Sequence, residues 1–185
     1  MKYLLLLLAS CATVPVVTPP KPYVSWPNQE WAQAAEKAVV ATGLDKLELG
    51  DEKQFCPNGL GVRNWVHLMA GVVTYESNFK PATEYKEAFN SSNGQRVIST
   101  GLFHISISST QQARYGCKWG SQAELRDPIK NIECSAKVIS ALVRENGVVT
   151  NHSGTSYRGM ARYWSVMRPS GKLSQIKAKM KAWCE

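Results

Sequence analysis

The chain lacks the ligand spacing of a metal site. It has no CxxC pair and its three histidines are scattered, so zinc-type coordination is not expected. No metal and no cofactor are expected on any other ground. Acidic residues are scarce: 14 Asp and Glu stand against 22 Lys and Arg, a formal net charge of +8. Alternating apolar and polar runs are also scarce, and "GLFHISIS" is the only short strand candidate, which argues against a β-rich fold. After residue 27 there is no internal repeat and no low-complexity stretch. The leucine run of "MKYLLLLLASCA" falls far short of the ~20 apolar residues a membrane span needs.

What that run does fit is a secretory signal: one lysine, a short apolar core, then small residues. Leu8-Ala9-Ser10-Cys11 resembles a bacterial lipobox, which would make Cys11 a lipidated N-terminus after residues 1–11. Ordinary cleavage after Ser10-Cys11-Ala12 is the alternative. Five cysteines are present, and an odd count in an exported protein asks for a reason. Lipidation of Cys11 leaves Cys56, Cys117, Cys134 and Cys184 for two disulfides in an oxidising compartment. Three connectivities are open. The favoured one is Cys117–Cys134, closing a short loop worth about 3 kcal/mol in the chain-entropy model, with Cys56–Cys184 tying down the C-terminus. Ala12 after Cys11 favours the outer membrane, facing the periplasm, over retention at the inner one; free secretion follows from the other cleavage.

Residues 12–27 hold five of the nine prolines and fit an extended tether with no core of its own. Residues 28–185 then form one domain. "NQEWAQAAEKAVVATG" opens on a capping Asn28 and stops at Gly43. The next helical run carries Val62, Trp65, Val66, Met69, Val72 and Val73 at the helical period, and Pro81 bars its continuation. "STQQARYG" fits a short helix capped by Ser109 and stopped by Gly116. "DPIKNIECSAKVISALVRENG" has Asp127 at the cap, Pro128 in the first turn and Gly147 at the end. "YRGMARYWSVM" and "SGKLSQIKAKMKAW" complete the helices. The fold class is mainly α, with a small β element or none. The lysines of "KLSQIKAKMK" form either a solvated basic face or an attractor for an anionic wall or lipid surface; nucleic acid is an improbable partner for an exported chain.

One residue breaks the apolar pattern. Counting Val62, Val66, Met69 and Val73 by threes and fours reaches Glu76 on the same face. A carboxyl held among apolar side chains is favoured in its protonated form, the form a general acid needs. The plainer reading is a helix that frays by residue 76 and turns the carboxylate to water.

Neighbouring residues decide between these. "GVVTYESNFKP" followed by "STGLFHISISSTQQARYG" resembles the soluble lytic transglycosylase and goose-type lysozyme group. The matching residues are Glu76, Ser77, Asn78, Phe79 and Pro81, then Gly101, Leu102, Phe103, His104 and Ile105. Leu125, Asp127, Pro128, Asn131 and Ile132 match the group's later helix, and Tyr163 its tyrosine position. The resemblance spans about residues 60–170. It implies a lysozyme-like domain that cleaves the β-1,4 bond from N-acetylmuramic acid to N-acetylglucosamine. It makes Glu76 the general acid and then base. Ser77, the Gly101–Ile105 segment and Tyr163 would shape the substrate site. The implied partners are peptidoglycan glycan strands and, through a lipidated Cys11, a membrane, with the chain acting as a monomer.

The chain departs from the group's pattern in places. His104 replaces a Gln, as a hydrogen-bonder holding the loop or as a proton carrier. Trp164-Ser165-Val166 replaces Asn-Ala-Gly; Trp164 either stacks on a sugar or fills the core. The insert "ATEYKEAFNSSNGQRVIS" is expected to be a loop bordering the cleft. Glu84 and Glu87 on it are candidate second carboxylates, or solvated loop charges. Most glycosidases use two carboxylates, whereas lytic transglycosylases use one, with the sugar's own hydroxyl closing an anhydro ring. Ser106 stands where goose-type lysozymes often carry an Asp. The expectation leans to transglycosylation, with hydrolysis as the alternative and a non-catalytic wall-binding lipoprotein as the third reading.

Overall fold

A computed structural model describes residues 21–184. The signal segment, Cys11 and the first part of the tether lie outside the described residues. The domain is mixed α/β and mainly helical, about 52% helix and 13% strand, with two small sheets.

The long helices follow their caps. Helix α1 (Gln29–Thr42) is capped by the Asn28 side chain, which accepts from Glu30 N and Trp31 N, and ends on a left-handed Gly43. Helix α2 (Val62–Glu76) is buried all round from Asn64 to Val73 and forms the centre of the core. Helices α3 (Ile107–Thr110) and α4 (Gln122–Arg126) are single turns. Helix α5 (Pro128–Asn146) starts on Asp127, which accepts from Ile129 N and Lys130 N, and ends on Gly147. Helix α6 (Gly171–Trp183) is capped by Ser170. Helices α1 and α6 both pack on α2, and α5 packs on α1. Among the described residues no helix is long and apolar enough to cross a membrane.

Both expected disulfides are present: Cys56–Cys184 joins the loop before α2 to the end of α6, and Cys117–Cys134 joins the loop after α3 to α5. They mark a protein that folds in an oxidising compartment.

Several local expectations are corrected. The insert at 82–99 is not a loop but a hairpin, β1 (Glu84–Asn90) against β2 (Arg96–Thr100), extended by β3 (Ile105–Ser106) into an antiparallel β1-β2-β3 sheet. Its β-forming residues, Tyr85, Phe89, Val97 and Ile98, outweigh the polar composition. Its turn is built by Asn93, whose side chain accepts from Gln95 N, and by Gly94 at φ 80°. "GLFHISIS" yields only the two residues of β3. "STQQARYG" is not one helix: Ser106, not Ser109, caps α3, and a separate 3-10 turn at Ala113–Tyr115 ends on Gly116. "YRGMARYWSVM" is no α-helix either. It begins in β5 (Ser156–Gly159), paired with β4 (Thr150–Ser153), and continues in two 3-10 turns. Gly159 at φ 58° lies so close to the Val148 and Val149 carbonyls that no Cβ fits, which stops a helix from forming through it.

The described end of the tether, residues 21–27, also packs on the domain. Tyr23 and Trp26 are buried in the core, and Trp26 Nε1 donates to Val66 O at 3.0 Å. Two aromatic rings supply the apolar area that the prolines lack.

Candidate active site

Glu76 is the last residue of α2. The helix ends there because Asn78 and Phe79 take up left-handed conformations, φ 50° and 59°. Such backbone is costly for a bulky residue. Phe79 is held in it by edge-to-face packing on Trp26, with ring centroids 5.5 Å apart.

The Glu76 side chain is 13% exposed, so it neither frays into solvent nor points into the core. Its surroundings also differ from the expected apolar pocket. His104 Nδ1 lies 3.2 Å from Glu76 Oε2, and the imidazole is 11% exposed. His104 is likewise left-handed, at φ 47°. Its Nε2 is buried with no hydrogen-bond partner among the described residues. With the proton on Nδ1 the ring donates to Glu76 and orients the carboxylate.

The Gly101–Ile105 segment that carries His104 is anchored at almost every polar group. Asn131, fully buried on α5, donates from Nδ2 to Thr100 O (3.0 Å) and Leu125 O (2.9 Å) and accepts from Phe103 N (2.9 Å). Ser77 Oγ donates to Leu102 O at 2.8 Å, and Trp164 Nε1 to Phe103 O at 2.8 Å. Gly101 N donates to Thr83 O at 3.0 Å. At φ 86°, Gly101 presses against Leu125 O and the Asn131 amide, leaving no room for a Cβ.

This anchoring corrects part of the expected substrate-binding set. Leu102, Phe103 and Ile105 are fully buried, and Trp164 is 2% exposed and packed on Phe103. Their side chains cannot touch a substrate; they support the floor from beneath. Trp164 is a core residue. Ser77 is buried and committed to Leu102 O. His104 alone of the segment reaches the site.

The sheet supplies the opposite wall. Tyr85, 56% exposed, stacks on His104 with centroids 6.4 Å apart and planes 20° apart. Tyr85 pairs with Ser99, and Ser99 with Ser106, so these three share one face. Ser99 Oγ donates to Glu87 Oε1 at 2.6 Å, which draws the Glu87 carboxylate onto the same face. Glu84 pairs with Thr100 on the other face and is bound by Arg126 at 2.5 Å. Of the two candidate second carboxylates, Glu87 therefore joins the Tyr85–His104–Glu76 series and Glu84 does not.

At the third strand, Tyr163 donates to Ser109 Oγ (2.8 Å) and accepts from Ser106 N (3.3 Å). Burial pushes its phenol above the ordinary tyrosine range, with the Ser109 bond opposing the shift, so the hydroxyl keeps its proton. Its partners are these serines rather than Glu76. Asn131 is signalled in the sequence only by its motif position, and Tyr85 by nothing, since its exposed ring takes its place only once the hairpin forms. Clefts beside Asp51 and Thr150, beside Lys37 and Lys137, and beside Ser91 and Ile98 are not lined by Glu76. No group of His, Cys, Asp and Glu among the described residues is arranged to hold a metal ion.

Fold and site together define a disulfide-bonded, mainly helical domain that presents one partly buried carboxylate–histidine pair beside a second carboxylate on a small sheet. No protein-family model matches the chain, and a search of curated proteins finds no significant match. Solved structures of the protein designated Bd0314 DslA do match: the wild type and two mutants, each 32% identical with a TM-score of 0.75, over 84% of this chain and 91% of theirs. The chain belongs to the same family as DslA. In the mutants one glutamate, at position 143 or at position 154 of DslA, is replaced by glutamine.

Proposed function

We propose that the chain cleaves the glycan strands of peptidoglycan by hydrolysis, with Glu76 as general acid and Glu87 as the second carboxylate. The observation that carries this reading is the series Glu76–His104–Tyr85–Ser99–Glu87, which links a carboxylate at the end of α2 to one on the sheet. The resemblance of Glu76, Ser77, Phe79 and Pro81 to the goose-type lysozyme and lytic transglycosylase group supports the substrate. The glutamates replaced in DslA stand 11 residues apart (143 to 154), the same spacing as Glu76 to Glu87 (76 to 87). In this reading Glu76 gives its proton to the leaving glycosidic oxygen and Glu87 stabilises or activates what attacks the anomeric carbon. Tyr85 offers its exposed face to a sugar ring. The cysteine-bearing N-terminus, Cys11, is lipidated and holds the domain at the outer membrane, with the glycan in reach.

A second reading, transglycosylation by Glu76 alone, is supported by Ser106 at the position where the goose-type enzymes often carry an Asp. Mass analysis of muropeptides separates the two, since a hydrolysed end exceeds an anhydro end by one water. Glu76→Gln should abolish wall lysis, by at least ~100-fold, with folding and wall binding intact. Lysis by that variant at the wild-type rate would overturn both readings, and wall binding without lysis by the wild type would favour a non-catalytic binder. Glu87→Gln should cost a comparable factor only if the products are hydrolytic.

A further inference from the structure

Few large apolar side chains are exposed among the described residues, and two of them stand on one strand. Tyr85 is 56% exposed and Phe89 60% exposed, both on β1. Tyr85 already has a place beside His104. Phe89 packs on no other ring among the described residues, and a phenyl group held in water gains nothing from folding.

The register of the hairpin settles which face Phe89 occupies. Tyr85 pairs with Ser99, and Ser99 Oγ bonds Glu87, so Tyr85 and Glu87 lie on the Ser99 face. Pairing resumes at Asn90, opposite Arg96. Arg96 is three residues before Ser99, so Arg96 and its partner Asn90 lie on the other face. Phe89, one residue before Asn90, returns to the Ser99 face. The irregularity sets residues 87–89 of β1 against residue 97 alone; it adds two residues and so preserves the alternation. Tyr85, Glu87 and Phe89 therefore stand in a row on one face. Four residues of extended strand span about 13 Å at most. The near end of the row is Tyr85, stacked on the His104 that contacts Glu76. The far end is Phe89, next to the hairpin turn.

Resting on the glycan-cleaving function, we propose that Phe89 is a distal sugar platform that makes the site select for strand length. Tyr85 takes a sugar ring close to Glu76, and Phe89 takes another further along the strand, with Glu87 between them. An aromatic face gives a sugar's C–H face a large, rigid contact that needs no hydrogen bond. The two rings are separated by a carboxylate rather than merged into one apolar patch. A protein partner's apolar surface, or a bilayer, would have to bury Glu87 together with the rings, and burying an unpaired charge is costly. A glycan strand meets the row without that cost, because it presents C–H faces to the rings and hydroxyls to the carboxylate. Short fragments reach one ring; longer strands reach both.

The test measures, by calorimetry, the binding of peptide-free glycan octasaccharides and disaccharides to the Glu76→Gln variant, which leaves them uncut. Adding Phe89→Ala should weaken octasaccharide binding about 5-fold, the worth of one aromatic contact, and disaccharide binding by less. Phe89→Trp should restore the octasaccharide affinity. Val40→Ala, which removes an exposed apolar side chain from α1, should leave it unchanged. In the chain with Glu76 intact, Phe89→Ala should raise KM for long strands about 5-fold and alter kcat less. Octasaccharide binding indifferent to Phe89→Ala, or equal losses for both lengths, would overturn the proposal. A parent chain that binds and cuts glycan while Phe89→Ala changes nothing would sink the platform alone. A parent chain that neither binds nor cuts glycan would sink the glycan-cleaving reading and the platform with it.

Discussion

The two sides of the candidate site are built on opposite principles. The Gly101–Ile105 wall is buried, and its backbone is bonded by Asn131, Ser77 and Trp164 from three separate elements. The β1–β2 wall is a hairpin in which only Glu87 of β1 is even half-buried, and its register shifts between Lys86 and Asn90. The first wall carries His104 against Glu76; the second carries Tyr85 and Glu87. Position is thus enforced around Glu76 and left looser on the exposed hairpin; in the proposed function the first aims the acid and the second admits the glycan. The left-handed backbone at His104 belongs to the enforced side, where the surrounding hydrogen bonds over-determine it.

Asn131→Ala tests the enforced wall hardest. It strands Thr100 O, Leu125 O and Phe103 N in the interior, and each unmet buried group costs about 1–3 kcal/mol. A loss of about 4 kcal/mol is expected, read as a fall of roughly 10 °C in melting temperature. Gly101→Ala should cost about 3 kcal/mol, because it adds a left-handed penalty to a contact with the Leu125 carbonyl and Asn131. Ser77→Ala removes one bond to Leu102 O and should cost about 1 kcal/mol. Activity should fall with it if that carbonyl helps aim His104. Tyr85→Ala belongs to the other wall. It should change stability by under ~0.5 kcal/mol while, if the proposed function holds, raising KM for glycan. A Tyr85→Ala melting shift as large as that of Ser77→Ala would erase the distinction between the walls.

The long helices were legible because their signals are local. Asn28 and Gly43 bracket α1, and Asp127 and Gly147 bracket α5, each through its own backbone bonds. The two disulfides were legible from count and loop length. The hairpin was not, because its polar residues alternate with β-formers that gain order only once β1 pairs with β2 and β2 with β3. Residues 157–167 look helical by period, but Gly159 is committed to the Val148–Val149 backbone, a tertiary fact. At the site, Glu76 was visible as a break in an apolar stripe, yet the stripe misled about its surroundings. What Glu76 meets is His104, and that contact depends on a left-handed turn 28 residues away that no local pattern marks. Phe103, within the motif, and Trp164, where the chain departs from it, matter for what they support, not for what they touch.

The Cys56–Cys184 bond spans the whole sequence from before α2 to the end of α6. The exposed hairpin tip at Ser91–Gly94 lies inside that span. Cutting the chain there therefore severs no part of the molecule from any other: both products remain one covalent body until the thiols are reduced. A protease could open the hairpin while the Gly101–Ile105 segment and α6 stayed joined. The nicked protein would run as a single band without reductant and as two with it.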